Sequence, residues 1–191
     1  MRKILLIGSG GSGKSTLAAR IAARTGLPLI HLDTLFWKPG WKEMPREEWK
    51  QIVVELLQRD SLVMDGNYGG TLDVRLAACD GVVFLDLPAI VCLWRLLKRR
   101  IRFHGTPRPD MSADCAERLS WSFVRWIWSY RKDRRPRLLE KLATVASLGK
   151  EVHILDSSTA VETFITRLPL SPHDTMQLTG HDDRTCIMGA V

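Results

Sequence analysis

Short apolar runs alternate with longer amphipathic stretches along the 191 residues of the chain. Five of these runs have the length and composition of buried strands, and they cover residues 4–7, 29–32, 61–64, 81–87 and 151–155. Strands that alternate with helices indicate a parallel sheet with helices packed on both faces. The pattern therefore predicts an α/β three-layer sandwich around a five-stranded parallel sheet.

Helical spacing of apolar residues appears between these runs. Helices are predicted to begin at Pro45 and Pro88 and to cover residues 114–130, 137–148 and 159–168. In the predicted helix over residues 114–130, the apolar residues lie on one face. This arrangement predicts packing rather than ligand binding for Leu119, Phe123, Trp126, Ile127 and Tyr130. After residue 168 the periodicity ends. We expect one domain over residues 1–168 and a flexible tail over residues 169–191.

Composition limits the class of protein. A chain that is 45% hydrophobic and 191 residues long can bury one core. No apolar run approaches the ~20 residues that span a bilayer, and the N-terminus does not resemble a secretory signal, so we expect a cytoplasmic protein with no membrane partner. The four cysteines show no metal-binding or disulfide spacing, and we expect reduced thiols.

The charge of the chain is strongly positive and unevenly distributed. The formal net charge is +7 and the isoelectric point is about 9.5. Most of the excess lies between residues 95 and 137. A solvated helical face is the ordinary explanation of such a run, but the excess also favours an anionic partner, either nucleic acid or a phosphorylated small molecule.

The sequence GSGGSGKST at residues 8–16 carries the clearest chemistry. It matches the phosphate-binding pattern G-x-x-x-x-G-K-[ST] and stands between a predicted strand and a predicted helix. Glycines let backbone N–H groups converge on phosphate oxygens at the positive end of the helix. Lys14 can reach the β and γ phosphates, and the Ser15 hydroxyl can bind Mg²⁺. We therefore predict an ATP site formed by Gly8, Gly10, Gly11, Ser12, Gly13, Lys14, Ser15 and Thr16.

Three aspartates end or follow predicted strands. In open α/β sheets, ligands bind beyond the carboxyl ends of the strands, so Asp33, Asp65 and Asp86 should lie along the same edge as the glycine-rich turn. Asp86 is the weakest candidate because the following Leu-Pro can bury it. Asp33 and Asp65 are the stronger candidates.

These motifs together resemble the small P-loop kinases of the adenylate kinase and shikimate kinase type over residues 1–168. The segments MDGNYGGTLDVR and SFVRWIWSY, and the segment around Asp33, are most similar to a branch labelled DNA topology modulation or FlaR-like proteins. The resemblance implies an adenylate kinase-like fold with a helical, arginine-rich lid over about residues 100–135. It also implies that Asp65 holds Mg²⁺ through water.

The resemblance extends to the arginines, with one departure. Family members carry an acceptor-binding arginine shortly after the Asp-Gly that corresponds to residues 65–66, and this chain has Asn67, Tyr68 and Gly69 there. Arg75 is the predicted substitute, beside Gly66 in the acceptor pocket. The basic helix WRLLKRR implies that Arg95 lies near adenine and Arg99 near the phosphates. Arg131 and Arg135, where the chain returns from the lid, are predicted to join the arginines that stabilise the transferring phosphoryl group.

The segment HLDTLFWKPGW at residues 31–41 is the predicted acceptor site. Asp33 stands where a carboxylate can orient an acceptor hydroxyl or take its proton, as shikimate kinase-like enzymes do. Phe36, Trp37 and Trp41 can wall the pocket. Alternatively, these aromatics only anchor the following helix to the core. We assign no catalytic role to His31.

The sequence thus predicts ATP-dependent phosphoryl transfer to a small acceptor that bears a hydroxyl or a phosphate, with Mg²⁺ as cofactor. The alternative is an ATP-binding regulator associated with nucleic acid. In that case the basic surface between residues 95 and 137 would contact phosphates, and Trp121, Trp126 and Trp128 would stack on bases. The sequence does not choose an acceptor or indicate an oligomeric state.

Overall fold

The computed structural model describes residues 1–102 and 120–171. Five parallel strands form one sheet, and a two-stranded antiparallel hairpin lies apart from it. The strands are β1 (Lys3–Gly8), β2 (Leu29–His31), β3 (Trp37–Lys38), β4 (Lys42–Glu43), β5 (Leu62–Asp65), β6 (Gly81–Leu85) and β7 (Glu151–Leu155). Strands β3 and β4 make the hairpin, and the sheet order of the other five is β2-β5-β1-β6-β7.

Helices connect the strands and cover both faces of the sheet. They are α1 (Lys14–Thr25), α2 (Leu32–Phe36), α3 (Arg46–Leu57), α4 (Leu72–Ala78), α5 (Ala89–Arg102), α6 (Trp121–Asp133), α7 (Arg135–Ser147) and α8 (Ser158–Arg167). A short 3₁₀ turn, Gly69–Thr71, precedes α4. None of the helices in the described ranges is long and apolar enough to cross a membrane.

The core has two halves, one on each face of the sheet. Alternate residues of β1 point to opposite sides, so Leu5 and Ile7 belong to one buried cluster while Ile4 and Leu6 belong to the other. The first cluster includes side chains of α3, α6 and α7, and the second includes side chains of α1 and α8. Burial on both faces explains why β1 is continuously apolar.

The predicted three-layer fold with five parallel strands is confirmed. Strand β7 has the predicted bounds. Strand β2 is shorter than predicted because Leu32 begins helix α2, and β6 ends at Leu85, two residues before the predicted end. The predicted aromatic face of α6 does pack inward, although residues 114–119 of that predicted helix lie outside the described residues.

Helices α2 and α4 and the β3–β4 hairpin were not predicted from the pattern. In the hairpin, Trp37 pairs with Glu43 and Lys38 pairs with Lys42. These elements are too short for a periodic apolar pattern to become visible. The hairpin matters most for function because it carries two of the predicted pocket tryptophans.

The chain after α8 remains attached to the domain for at least three residues. The backbone N–H of Ser171 donates to the carbonyl oxygen of Arg24 at 2.7 Å, and Ser171 is buried. Ser171 thus contacts the domain although it lies in the range that was predicted as a flexible tail. Residues 172–191 lie outside the described residues, as do Cys115 and Cys186, while Cys79 and Cys92 are buried free thiols.

Candidate active site

An open cavity of about 1880 Å³ lies at the carboxyl edge of the sheet. It begins at the turn after β1, the central strand, where the strand order reverses and α/β proteins generally bind ligands. The turn, the ends of β2 and β5, the hairpin and one side of α5 all contribute to its wall. The predicted site residues that line it are Gly10, Gly11, Ser12, Gly13, Lys14, Ser15, Thr16, Asp33, Trp37, Trp41, Asp65, Gly66, Arg95 and Arg99.

The phosphate-binding turn has the backbone that its glycines permit. Gly11 and Gly13 have φ values of 74° and 97°, a conformation that side chains with a Cβ rarely adopt. A Cβ at Gly11 would also overlap the carbonyl oxygen of Cys92 on α5. The hydroxyl oxygens of Ser9 and Ser12 are buried and have no hydrogen-bond partner among the described residues. Unpaired buried hydroxyls in such a turn are suited to ligand oxygens.

Lys14 begins helix α1, and its amine lies inside the turn. Its Nζ donates to the carbonyl oxygen of Ser9 at 3.0 Å. Burial lowers the pKa of Lys14, while the carboxylates of Asp65 and Asp33 act in the opposite direction. An amine that is desolvated in this way gains from an added anion, so the turn favours phosphate groups.

Asp65 ends β5 and is buried, with 3% of its surface exposed. Its Oδ2 lies 3.0 Å from Nδ1 of His31, the last residue of the neighbouring strand β2. His31 thus contacts a predicted site residue, which sequence reasoning missed. The strand register could have indicated it, because His31 and Asp65 are direct partners across β2 and β5.

Asp33 lies in helix α2 and lines the cavity as predicted. Its Oδ1 accepts a hydrogen bond from the hydroxyl of Tyr68 at 2.5 Å. Burial and the neighbouring carboxylate of Asp33 both raise the pKa of Tyr68, so the phenol stays protonated and remains a donor. Tyr68 also lines the cavity and was not predicted as a site residue.

Asn67 is a second site residue that sequence reasoning missed. Its side-chain amide pairs with the backbone of Gly8, accepting from the Gly8 N–H at 3.1 Å and donating to the Gly8 carbonyl oxygen. The pairing ties the loop after β5 to the start of the phosphate-binding turn. Its position directly after Asp65-Gly66 is the signal that could have indicated it.

Arg75 does not take the predicted place in the acceptor pocket. Its side chain is fully buried and donates to the carbonyl oxygens of Gly66, Tyr68 and Thr71 at 2.8, 2.6 and 3.3 Å. Burial lowers the pKa of Arg75 to about 10, so the group stays charged at neutral pH. The guanidinium is committed to backbone acceptors because α4 turns it under the loop. Arg75 therefore supports the loop over residues 66–71.

The predicted aromatic wall divides into two parts. Phe36 packs inward, with ring centroids 5.2 Å from Trp49 and 4.5 Å from Tyr68, and it does not line the cavity. Trp37 and Trp41 do line it, with their rings 5.2 Å apart and edge-on. The anchoring interpretation thus describes Phe36, whereas the two tryptophans of the hairpin face the cavity.

Trp41 has a strained backbone. Its φ of 62° is the only positive value at a non-glycine position in the described residues. A left-handed conformation costs an ordinary residue roughly 1–2 kcal/mol. Gly40 before it also has a positive φ of 76°, and turns of this kind normally carry Asn, Asp or Gly. The hairpin therefore holds a large indole where its own backbone would favour a small residue.

Helix α5 brings Arg95 and Arg99 to the cavity wall. Arg95 Nη1 donates to the carbonyl oxygen of Ser12 at 2.8 Å, so this arginine braces the phosphate-binding turn. Arg99 lies close enough to Lys14 to lower the pKa of the amine. Lys98, Arg102 and Arg134 also line the cavity and were not predicted as site residues. Basic side chains thus surround the end of the cavity that holds the turn.

Arg131 and Arg135 contact a buried carboxylate instead of the cavity. Arg135 Nε lies 2.7 Å from Asp86 and Arg131 Nε lies 3.6 Å from it. Asp86 is buried directly after β6, as the sequence suggested. A buried carboxylate needs a partner, and two nearby arginines supply it. This placement differs from the predicted lid role, and residues 103–119 of the predicted lid lie outside the described residues.

The tryptophans of α6 differ in their exposure. Trp126 is partly buried, stacks on Phe123 with nearly parallel planes and contacts Tyr130. Trp121 and Trp128 are exposed. Arg95 and Arg99 face the phosphate-binding turn rather than an outer surface. The nucleic-acid alternative requires one continuous surface of basic and aromatic side chains between residues 95 and 137. In the structure, these side chains are instead partly buried, exposed or directed at the phosphate-binding turn.

Fold and site together define an α/β protein with a P-loop at the central strand of a parallel sheet. Similar solved structures include a shikimate kinase from Acinetobacter baumannii in complex with shikimate, with a TM-score of 0.52 and 19% identity over 93% of this chain and 92% of that one. A shikimate kinase from Bacteroides thetaiotaomicron has a TM-score of 0.48 and 20% identity over 92% of this chain and 98% of that one. A sugar kinase from Janibacter sp. HTCC2649 has a TM-score of 0.46 and 20% identity over 87% of this chain and 93% of that one. The first of these likenesses shows the fold.

No protein-family model matches the chain, and no curated protein is significantly similar to it in sequence. The chain shares its fold with the shikimate kinase from Acinetobacter baumannii. What the chain does must be argued from its own residues.

Proposed function

We propose that the protein transfers the γ-phosphoryl group of ATP to a hydroxyl group of a small acceptor. The observation that carries the proposal is that Lys14, Asp65 and Asp33 line one cavity at the P-loop. The two carboxylates lie near enough to the Lys14 amine to affect its pKa. A phosphate-binding cation and a carboxylate suited to a hydroxyl therefore share one space.

The turn over residues 8–16 would hold the phosphates of ATP. Its backbone N–H groups and the start of α1 attract anions, and the unpaired hydroxyls of Ser9 and Ser12 add polar groups. Lys14 would neutralise charge on the transferring group. Ser157 and Ser158, at the start of α8, also line this cavity. Arg95 would fix the turn rather than contact adenine directly.

The residues present fit a magnesium ion. The Ser15 hydroxyl lines the cavity beside the turn, and the Asp65 carboxylate is buried at the end of β5. Both supply oxygen atoms, which Mg²⁺ prefers, and ligation through water leaves Asp65 able to keep its contact with His31. When bound, Mg²⁺ would neutralise the charge of the β and γ phosphates.

Asp33 would orient the acceptor and receive its proton. The acceptor oxygen forms a bond to the γ-phosphorus, the bond from that phosphorus to the β,γ-bridging oxygen breaks, and ADP leaves with the electron pair. The hydroxyl proton passes to the Asp33 carboxylate. The Tyr68 hydroxyl donates to Asp33 Oδ1 and so fixes the carboxylate at the wall of the cavity, where an acceptor hydroxyl would approach it.

Basic side chains on α5 would stabilise the charge that develops during transfer. Arg99, Lys98 and Arg102 line the cavity on the side of the turn. We propose that the segment over about residues 100–135 acts as the lid and that residues 1–168 form the kinase-like domain. A lid that closes over both substrates excludes water and limits hydrolysis of ATP. The resemblance to FlaR-like proteins remains part of this proposal.

The test is an assay of acceptor-stimulated ADP formation from Mg-ATP. Candidate acceptors should include shikimate, nucleosides, nucleoside monophosphates and neutral sugars. With an active acceptor, Asp33→Asn should lose transfer by on the order of a hundredfold or more while ATP affinity stays within about threefold, because the amide keeps the shape and loses the charge. Asp60→Asn, at an exposed position after α3, is the matched control. Normal transfer by Asp33→Asn would contradict the assigned role.

A further inference from the structure

The acceptor end of the cavity has a wall that is distinct from the phosphate end. It is formed by α2, the β3–β4 hairpin, the first residue of α3 and the loop after β5. The side chains that line it there are Asp33, Trp37, Trp41, Glu43, Arg46 and Tyr68. Two indoles, one phenol and three charged groups therefore surround an acceptor. The charges, hydrogen bonds and ring contacts of these groups indicate the class of acceptor.

The indole of Trp41 is held in place against the preference of its own backbone. Gly40 and Trp41 have positive φ values in succession, and nothing lies within 4 Å of a Cβ built at Gly40. The turn itself would accept a small residue. Backbone strain of this kind concentrates where a side chain is needed for binding. The ring of Trp41 meets Trp37 edge-on and adds to the aromatic surface of the cavity.

Positive charge at this end of the cavity is limited. Arg75, the predicted phosphate ligand, is buried against three carbonyl oxygens. The hairpin has two basic residues, Lys38 and Lys42, and neither lines the cavity; Lys38 contacts the carboxylate of Glu48 at 3.3 Å. Arg46 is the remaining basic group among the described residues of this wall, and it is outnumbered by Asp33 and Glu43. An acceptor bearing a phosphate or a carboxylate would meet net negative charge here.

The other end of the cavity opposes a cationic acceptor. Lys14, Arg95 and Arg99 surround the phosphate-binding turn, and Asp33 already accepts the hydrogen bond of Tyr68. This basic cluster would repel a cationic acceptor that bound at Asp33, whereas a neutral hydroxyl would meet no such repulsion. Indole faces provide a flat apolar surface for the C–H groups of a saturated ring.

We propose that the acceptor is an uncharged, ring-shaped polyhydroxy compound. Its C–H face lies on the indoles of Trp37 and Trp41, and its reacting hydroxyl meets Asp33. The inference rests on the proposed phosphoryl transfer. The strained Trp41 sets the specificity for this class, because its ring supplies contact area that a residue suited to the turn would not.

One experiment varies the charge of the acceptor on a constant ring. ADP formation is measured with glucose, glucosamine, glucuronate and glucose 6-phosphate, and with ribose and myo-inositol as further neutral probes. We expect at least one neutral compound to stimulate ADP formation, with kcat/KM at least tenfold above its charged analogues. Stimulation by charged compounds only, or by none of the neutral ones while ATP binds normally, would overturn the class. Failure to bind ATP would instead overturn the proposed function.

A second experiment tests Trp41 itself. Trp41→Gly should raise KM for the active neutral acceptor at least tenfold, leave KM for ATP within about twofold, and leave the melting temperature unchanged or higher. Trp41→Phe should keep the acceptor KM within about threefold, because it restores an aromatic face. Trp128→Ala removes an exposed indole of α6 outside the cavity and should change neither KM. A lower melting temperature for Trp41→Gly with an unchanged acceptor KM would show that the indole only stabilises the hairpin.

Discussion

Asn67 binds both polar backbone groups of Gly8, the first residue of the phosphate-binding turn. The contact joins residues that are 59 positions apart in the chain. Gly8 is buried, so water is a poor substitute for the amide. The loop after β5 therefore holds the point where β1 passes into the turn, and a change in the loop should be felt by bound phosphate.

Asn67→Ala should weaken ATP binding and lower the stability of the protein. Loss of the amide leaves a buried N–H and a buried carbonyl unpaired, which costs roughly 1–3 kcal/mol for each group that stays unpaired. We expect ATP affinity to fall about tenfold and the melting temperature to fall by several degrees. Calorimetric titration and thermal denaturation measure the two effects. Gln58→Ala, an exposed amide after α3, should change neither.

ATP affinity should depend on alkaline pH through Lys14. Burial lowers the pKa of Lys14 from its ordinary value of 10.5, and bound phosphates raise it again because they favour the charged amine. ATP binding should therefore take up a proton, and affinity should fall as the pH rises through the lowered pKa. Titrations at several pH values in two buffers of different ionisation enthalpy measure this.

Lys14→Gln provides the comparison for the pH experiment. It should reduce transfer by on the order of a hundredfold or more, because a charge that stabilises the transferring group is lost. It should also remove the alkaline fall in affinity. The same pH dependence in Lys14→Gln would assign the proton uptake to another group.

Arg75→Met tests whether this arginine supports the loop or binds the acceptor. Three carbonyl oxygens lose their donor in this variant, so we expect a free energy of unfolding lower by roughly 2–4 kcal/mol. Both ATP and acceptor binding should weaken, because Asn67 and Tyr68 belong to the supported loop. Thermal denaturation and steady-state kinetics measure these effects, with the exposed Arg59→Met as control. An unchanged melting temperature with a higher acceptor KM alone would restore the predicted acceptor role.

The sequence predicted local features better than distant ones. The apolar runs and the motif at residues 8–16 depend on neighbouring residues, and both appear in the structure. The hydrogen bonds of Arg75 to backbone carbonyl oxygens could not be predicted from the sequence. These oxygens come together only when the loop over residues 66–71 folds against α4. An arginine one turn into a helix has the same local pattern whether it faces a cavity or a loop.

The pairing of Arg135 with Asp86 and the strained backbone of Trp41 also could not be predicted from the sequence pattern. Arg135 and Asp86 are 49 residues apart, and their contact depends on how α6 and α7 meet the end of β6. The position of Trp41 at the cavity wall depends on two successive positive φ values, and Gly40 was the only sign of them in the sequence. In contrast, Asp33 and Asp65 line the same cavity as the glycine-rich turn, because the ends of parallel strands share one edge of a sheet.

Arg135→Met should destabilise the protein more than Arg131→Met. The Arg135 guanidinium lies closer to the buried Asp86, and its side chain is less exposed than that of Arg131, 33% against 45%. Without Arg135, the charge of the buried Asp86 carboxylate is balanced only in part. Complete loss of such a pairing lowers the free energy of unfolding by roughly 3–5 kcal/mol. Arg131→Met should cost less than about 1 kcal/mol. Denaturant unfolding measures both.

The predicted lid role gives a different pattern for the same two variants. If either arginine moves onto the phosphates during transfer, its replacement should lower kcat with little change in stability. The double variant Arg135→Met with Asp86→Leu separates the two roles. It removes the unpaired carboxylate, so stability should return toward that of the parent protein, whereas a lost catalytic charge would not return.

Removal of residues 172–191 should leave ATP binding and melting temperature nearly unchanged, because that segment has no periodic apolar face. The cut must follow Ser171. The Ser171 N–H donates to the Arg24 carbonyl at the end of α1, and Leu168 belongs to the core. Removal from residue 168 onward should therefore lower the melting temperature by several degrees. Equal losses of stability in both truncations would show that residues 172–191 pack on the domain, with Ile187 and Met188 as the residues to test next.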